Sequence, residues 1–123
     1  MKIAIACDHG AVALKNQLIS YLEKQGHELR DFGTYEPVSC DYPIYAAAAA
    51  RAVAGGECDR GIVLCTTGIG MSIAANKVKG IRCALLHDLK SATMTRQAAA
   101  CLHTGGIGAG DDEASQLPHF LLQ

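Results

Sequence analysis

Short runs of consecutive apolar residues alternate with longer stretches in which apolar positions recur every three or four residues. "KIAIAC" (residues 2–7) is such a run and predicts a strand, ended by the turn-like "DHG". "AVALKNQLISYLEKQG" puts Leu14, Leu18 and Leu22 on one helical face with Ile19 beside them, and Gly26 stops it behind Lys24. "HELRDFGT" (27–34) predicts a second, shorter strand, and "YPIYAAAAARAVAGG" a helix with a proline near its start and Gly55-Gly56 at its end. "GIVLC" (61–65) predicts a third strand, "MSIAANKVKG" (71–80) a helix closed by Gly80, and "IRCALLHD" (81–88) a fourth strand. Ser91 then caps "ATMTRQAAA". Beyond Gln97 the pattern thins to one weak strand, a glycine-rich loop and a short helix around Pro118. Near-continuous apolar strands separated by amphipathic helices predict an α/β fold: a mostly parallel sheet of about five strands, covered on both faces.

Composition sharpens this picture. The chain has 123 residues, which by size is one domain spanning 1–123. Half of it is apolar while aromatics make up 5%, so small residues should pack helices closely on the sheet. A net charge of −1 gives no basic field for nucleic acid and no polybasic face for a membrane. No apolar run reaches the roughly 20 residues of a membrane span. The opening "MKIAIACDHG" reads as a mature strand, not a secretory segment, so the expected location is the cytoplasm. Six cysteines, with no CxxC pair, read as reduced thiols, and no Cys or His pair has metal-ligand spacing.

In open parallel sheets, ligands sit at the carboxyl ends of strands. Two such ends carry reactive groups here: Cys7-Asp8-His9-Gly10 and Cys65-Thr66-Thr67-Gly68-Ile69-Gly70. Glycines 68 and 70 let backbone approach a ligand, and the helix behind them offers unpaired N–H groups. The dinucleotide fingerprint is absent, because its third glycine would fall on Ile73. A glycine turn used for close strand-helix packing gives the same pattern. So does a buried cysteine acting as a small hydrophobe, although a thiol facing a helix N-terminus is also where thiolate forms. Asp8 could equally be a plain N-cap. Taken together, thiol, amides, imidazole and hydroxyls suit proton transfer beside a carbonyl, with the oxyanion held by amides.

"KIAIACDHG", "LKNQLISYLEKQGHELRDFGTY", "CDYPIYA", "AVAGGECDRGIVLCTTGIGMSIAANKVKGIRCALLHD" and "SATMTRQ" resemble the ribose-5-phosphate isomerase B family and its galactose-6-phosphate isomerase relatives, from residue 1 to about 97. The resemblance implies a Rossmann-like three-layer α/β/α sandwich, and a homodimer with active sites at the subunit boundary. It implies a cofactor-independent isomerase that interconverts D-ribose 5-phosphate and D-ribulose 5-phosphate through a cis-enediolate. Cys65 would be the general base and Thr67 the active-site threonine, while the amides of Gly68, Ile69 and Gly70 would hold the enediolate oxygen. Asp8 and His9 would contact substrate, His9 near its phosphate, and Asn76 and Lys77 would be structural.

Two departures stand out. Thr66 occupies a position usually glycine in the family, adding a side chain to the loop. After Arg96-Gln97 the family continues with His-Asn, whose histidine helps open the sugar ring, and later carries arginines that grip phosphate. Here residues 98–100 are all alanine and no arginine follows Arg96. A divergent tail and a shifted reading frame both produce this pattern. The alternatives are therefore an isomerase of another sugar phosphate, such as galactose 6-phosphate, or a sugar-phosphate-binding protein with impaired turnover.

Overall fold

A computed structural model describes the backbone of residues 1–98 and 102–106, with side chains through residue 95. Along the chain run β1 (Lys2–Cys7), a 3-10 turn (His9–Ala11), α1 (Val12–Lys24), β2 (Glu28–Asp31) and α2 (Tyr42–Ala54). Then come β3 (Arg60–Cys65), α3 (Ile69–Asn76), β4 (Cys83–Leu86), α4 (Leu89–Ala98) and β5 (Leu102–Gly106). The five strands form one sheet in the order β2-β1-β3-β5-β4, and every pairing is parallel. Their carboxyl ends therefore share one rim.

Strand alternation divides the core between the two faces of the sheet. Ile3, Ile5, Cys7, Ile62 and Leu64 point to one side, where Leu14, Leu18 and Leu22 of α1 and Ala92 of α4 cover them. Ala4, Ala6, Val63 and Cys65 point to the other, against Ala46, Ala49, Ala50 and Val53 of α2 and Met71 and Ala75 of α3. Alanine facing alanine lets α2 lie close on the sheet, which is the use of the alanine run. Each fully buried Ile or Leu contributes about 1.5–3 kcal/mol by leaving water. The result is the expected Rossmann-like α/β/α sandwich.

Several boundaries differ from the sequence reading, each for a local reason. The regular part of β2 stops at Asp31, because Gly33 turns to φ +93°. The strand still zips onto β1 beyond that point, with Phe32 N–H on the Ile5 carbonyl at 2.8 Å and Thr34 N–H on the Cys7 carbonyl at 2.9 Å. Helix α3 starts two residues early, at Ile69, because Gly68 takes the left-handed conformation at its N-cap (φ +76°). It ends at Asn76, whose carboxamide turns back to the Ser72 carbonyl (3.0 Å) and clamps both backbone groups of Cys83, at 2.8 and 2.7 Å. That clamp gives Asn76 the structural role expected of it. At α4 the cap is Asp88, not Ser91. The Asp88 carboxylate accepts from Ser91 N–H at 2.6 Å, and this bond is the main reason its pKa lies below the ordinary carboxylate range.

The weak strand after Gln97 is β5, and it lies inside the sheet, with β4 at the edge. Two neighbours saturate its backbone, so pairing compensates for a segment with few strand-forming side chains. The glycine-rich loop and the short helix around Pro118 fall outside the described residues, as do the side chains of Ala98 and His103.

Candidate active site

Strand order reverses between β1 and β3: the chain leaves β1 toward β2 on one side, then returns to lay β3 on the other. That is a topological switch point, where the connecting loops diverge and open a crevice. The loops that flank it are those singled out in the sequence, Asp8–Gly10 after β1 and Thr66–Gly68 after β3. Cys7 pairs with Leu64 in register, and Asp8 N–H donates to the Leu64 carbonyl at 3.0 Å, holding the two loop origins side by side.

Cys65 ends β3 with its sulfur largely covered, at 5% residue exposure. Gly68 N–H donates to Cys65 Sγ at 2.9 Å, and Thr67 Oγ1 lies 4.0 Å from the same sulfur. The sulfur thus receives a backbone hydrogen bond at the N-terminus of α3. Cys7, the equivalent strand-end thiol on β1, behaves oppositely. It donates to the Thr34 carbonyl at 3.6 Å, and burial pushes its pKa up to about 11. Two cysteines in similar sequence settings are therefore different groups: Cys7 is a protonated core residue, while Cys65 accepts.

The loop amides divide their work. Gly68 N–H is used by Cys65, and Ile69 N–H donates to Thr67 Oγ1 at 3.2 Å. Gly70 N–H has no such bond among the described residues. The Asp8 carboxylate accepts from Gly10 N–H at 2.9 Å, so the capping role is real and leaves its second oxygen free of that bond. His9 is exposed in the 3-10 turn beside it.

Three features were missed in the sequence. The Tyr42 ring lies against Gly70 so closely that a Cβ there would come within 2.9 Å of it. Tyr42 thereby joins the start of α2 to the start of α3. Thr66 Oγ1 lies directly against Gly10, filling the space where a side chain at that position would sit. Lys15 is fully buried: its Nζ donates to both Asp31 carboxylate oxygens at 2.7 and 2.8 Å and to the Thr34 carbonyl at 2.7 Å. A signal for it existed, because Ala11, Lys15, Leu18 and Leu22 follow the helical spacing of the buried stripe. Through Thr34, Lys15 anchors the segment bonded to Cys7, immediately before Asp8. No group of three His, Cys, Asp or Glu among the described residues is arranged to hold a metal ion, and no described helix is long and apolar enough to cross a membrane.

Comparison with known proteins bears on the family and the fold. The chain is 48% identical over 96 residues to ribose-5-phosphate isomerase B of Escherichia coli, covering 78% of this chain and 64% of the relative. It is 47% identical over 97 residues to the galactose-6-phosphate isomerase subunit LacB of Clostridium acetobutylicum, covering 79% of this chain and 56% of that one. The chain thus spans less than two thirds of the length of these curated relatives. The solved structure of ribose-5-phosphate isomerase B from Clostridium thermocellum superposes with a TM-score of 0.84 at 46% identity, covering 89% of this chain and 76% of that one. With a family model matched over residues 3–117, this chain belongs to the ribose/galactose isomerase family.

Proposed function

We propose that the chain is a single cytoplasmic domain that isomerises D-ribose 5-phosphate and D-ribulose 5-phosphate without a cofactor. The observation that carries this reading is Cys65 at the switch-point rim, its sulfur held by the Gly68 amide next to the Gly70 amide, which has no partner among the described residues. In this mechanism the Cys65 thiolate removes the proton from C2 of the open-chain aldose. The electron pair forms the C1–C2 double bond, and the carbonyl oxygen O1 becomes the enediolate oxyanion. Gly70 N–H, supported by the positive end of α3, stabilises that charge. The thiol then returns the proton to C1 while the proton on O2 passes to O1, which leaves the ketose and regenerates the thiolate. Thr67 positions the loop, and Asp8 and His9 contact the sugar phosphate on the β1 side.

Incubation with ribose 5-phosphate in D2O tests the reading, with ribulose 5-phosphate and deuterium at C1 or C2 followed by NMR. Ketose formation with deuterium incorporation is the expected result. Binding without turnover would favour a sugar-phosphate-binding protein, the reading that the alanines at 98–100 support. Turnover of galactose 6-phosphate in preference would move the substrate to a hexose. Failure to bind any sugar phosphate would overturn the proposal.

We further propose a homodimer that buries the apolar side chains beside this rim. Ile69 and Ile73 share one side of α3 at 51% and 56% exposure, and Ile44 near the start of α2 is 62% exposed. With Tyr42 at 40%, these residues place apolar surface next to the candidate site. Sedimentation velocity at micromolar concentration should give a dimer, and Ile73→Asp should shift it toward monomer. A monomeric parent chain would sink the assembly.

A further inference from the structure

We propose that Thr66 is a specificity-determining residue that restricts the site to phosphorylated sugars of four or five carbons; this rests on the isomerase reading above. Thr66 stands next to Cys65 in the chain, and its Oγ1 lies against Gly10, next to His9. It therefore occupies the gap between the loop that carries the thiol and the loop that carries the imidazole. The Asp8 to Leu64 hydrogen bond holds the origins of both loops side by side.

Thr66 is exposed on the rim, not packed in the core, and no hydrogen bond among the described residues engages its hydroxyl. A side chain in that position is a wall of the crevice. In the proposed pose the reacting carbons lie at Cys65 and the phosphate lies toward His9, so the sugar backbone passes Thr66. Each added CHOH unit lengthens the path between these two ends and must be accommodated beside Oγ1. A Cβ at Gly10 would lie 2.3 Å from that atom, so the two loops meet closely at this point.

The test uses non-reacting aldonate phosphates of four, five and six carbons, titrated by calorimetry against the full chain and against Thr66→Gly. Rejection of one excess carbon by a fitted wall is typically worth about tenfold to two-hundredfold in affinity. The parent chain should therefore bind the six-carbon ligand at least about tenfold more weakly than the five-carbon one. Thr66→Gly should narrow that ratio to within about threefold, and Thr66→Ala, which keeps Cβ but removes Oγ1 and Cγ2, should move it in the same direction. Melting curves confirm that each variant folds. An unchanged ratio in both variants, or an equal loss for all three ligands, would overturn the role of Thr66 while leaving the isomerase reading intact. If neither parent nor variant bound any of the ligands, both would fall together.

Discussion

Cys65→Ser should slow exchange of the sugar's C2 proton with solvent by about a hundredfold to ten-thousandfold, the usual contribution of a positioned acid–base group. The substitution keeps an atom that can accept from Gly68 N–H at the 2.9 Å position, so the loop and the N-terminus of α3 should keep their geometry. What changes is the base, because a serine hydroxyl is a far weaker proton acceptor than a thiolate at neutral pH. Circular dichroism should be unchanged, and binding of a five-carbon aldonate phosphate should fall much less than exchange does. Cys7→Ala is the matched control. Cys7 also ends a strand at the switch point, but it donates to the Thr34 carbonyl and its high pKa keeps it protonated. Its exchange rate per folded molecule should stay near that of the parent. Parent-like exchange in Cys65→Ser would remove Cys65 from the mechanism.

The second large effect concerns stability. Asp31→Ala should destabilise the chain by about 3–5 kcal/mol, the range for removing one partner of a buried ion pair. It strands the fully buried Lys15 ammonium with the Thr34 carbonyl and the Tyr35 ring, whose centroid lies 4.6 Å away. Lys15→Met should cost less, about 1–3 kcal/mol. That change leaves behind a carboxylate whose side chain is 27% exposed and can recruit water, and it replaces the buried lysine stem with an apolar one. The double variant should be more stable than the sum of the two losses predicts, since the second change removes the stranded charge left by the first. Urea midpoints for the four chains check the order. Equal losses from the two single changes would show that Asp31 and Lys15 are not an asymmetric buried pair. Because Thr34 is bonded to Cys7, the Asp31 variant should also loosen the β1 end that carries Asp8 and His9.

Near-continuous apolar runs such as "KIAIAC" and "GIVLC" identify parallel strands because residues on both faces must be buried, and Ile3/Ala4 and Ile62/Val63 do point to opposite faces. Cys65, Thr67, Gly68 and Gly70 were legible because thiol, hydroxyl and glycine interrupt the pattern at a strand end. The boundary errors have equally local causes. Ser91 and Asp88 are both good caps, and only the backbone geometry assigns the role to Asp88.

The sequence by itself determined the element types, the α/β class, the family and the two loops proposed to carry chemistry, since each rests on periodicity or on neighbouring residues. Tertiary structure decided the rest. Placing β5 between β3 and β4 depended on backbone pairing with partners distant in sequence, which its side chains do not encode locally. Separating an inert Cys7 from an accepting Cys65 depended on which carbonyl or amide each sulfur meets across the fold. The contact of Thr66 with Gly10, and the burial of Lys15 against Asp31, likewise join residues that no local pattern links. Hydrophobic spacing reports which side of an element is buried; what that side touches is fixed only when the sheet assembles.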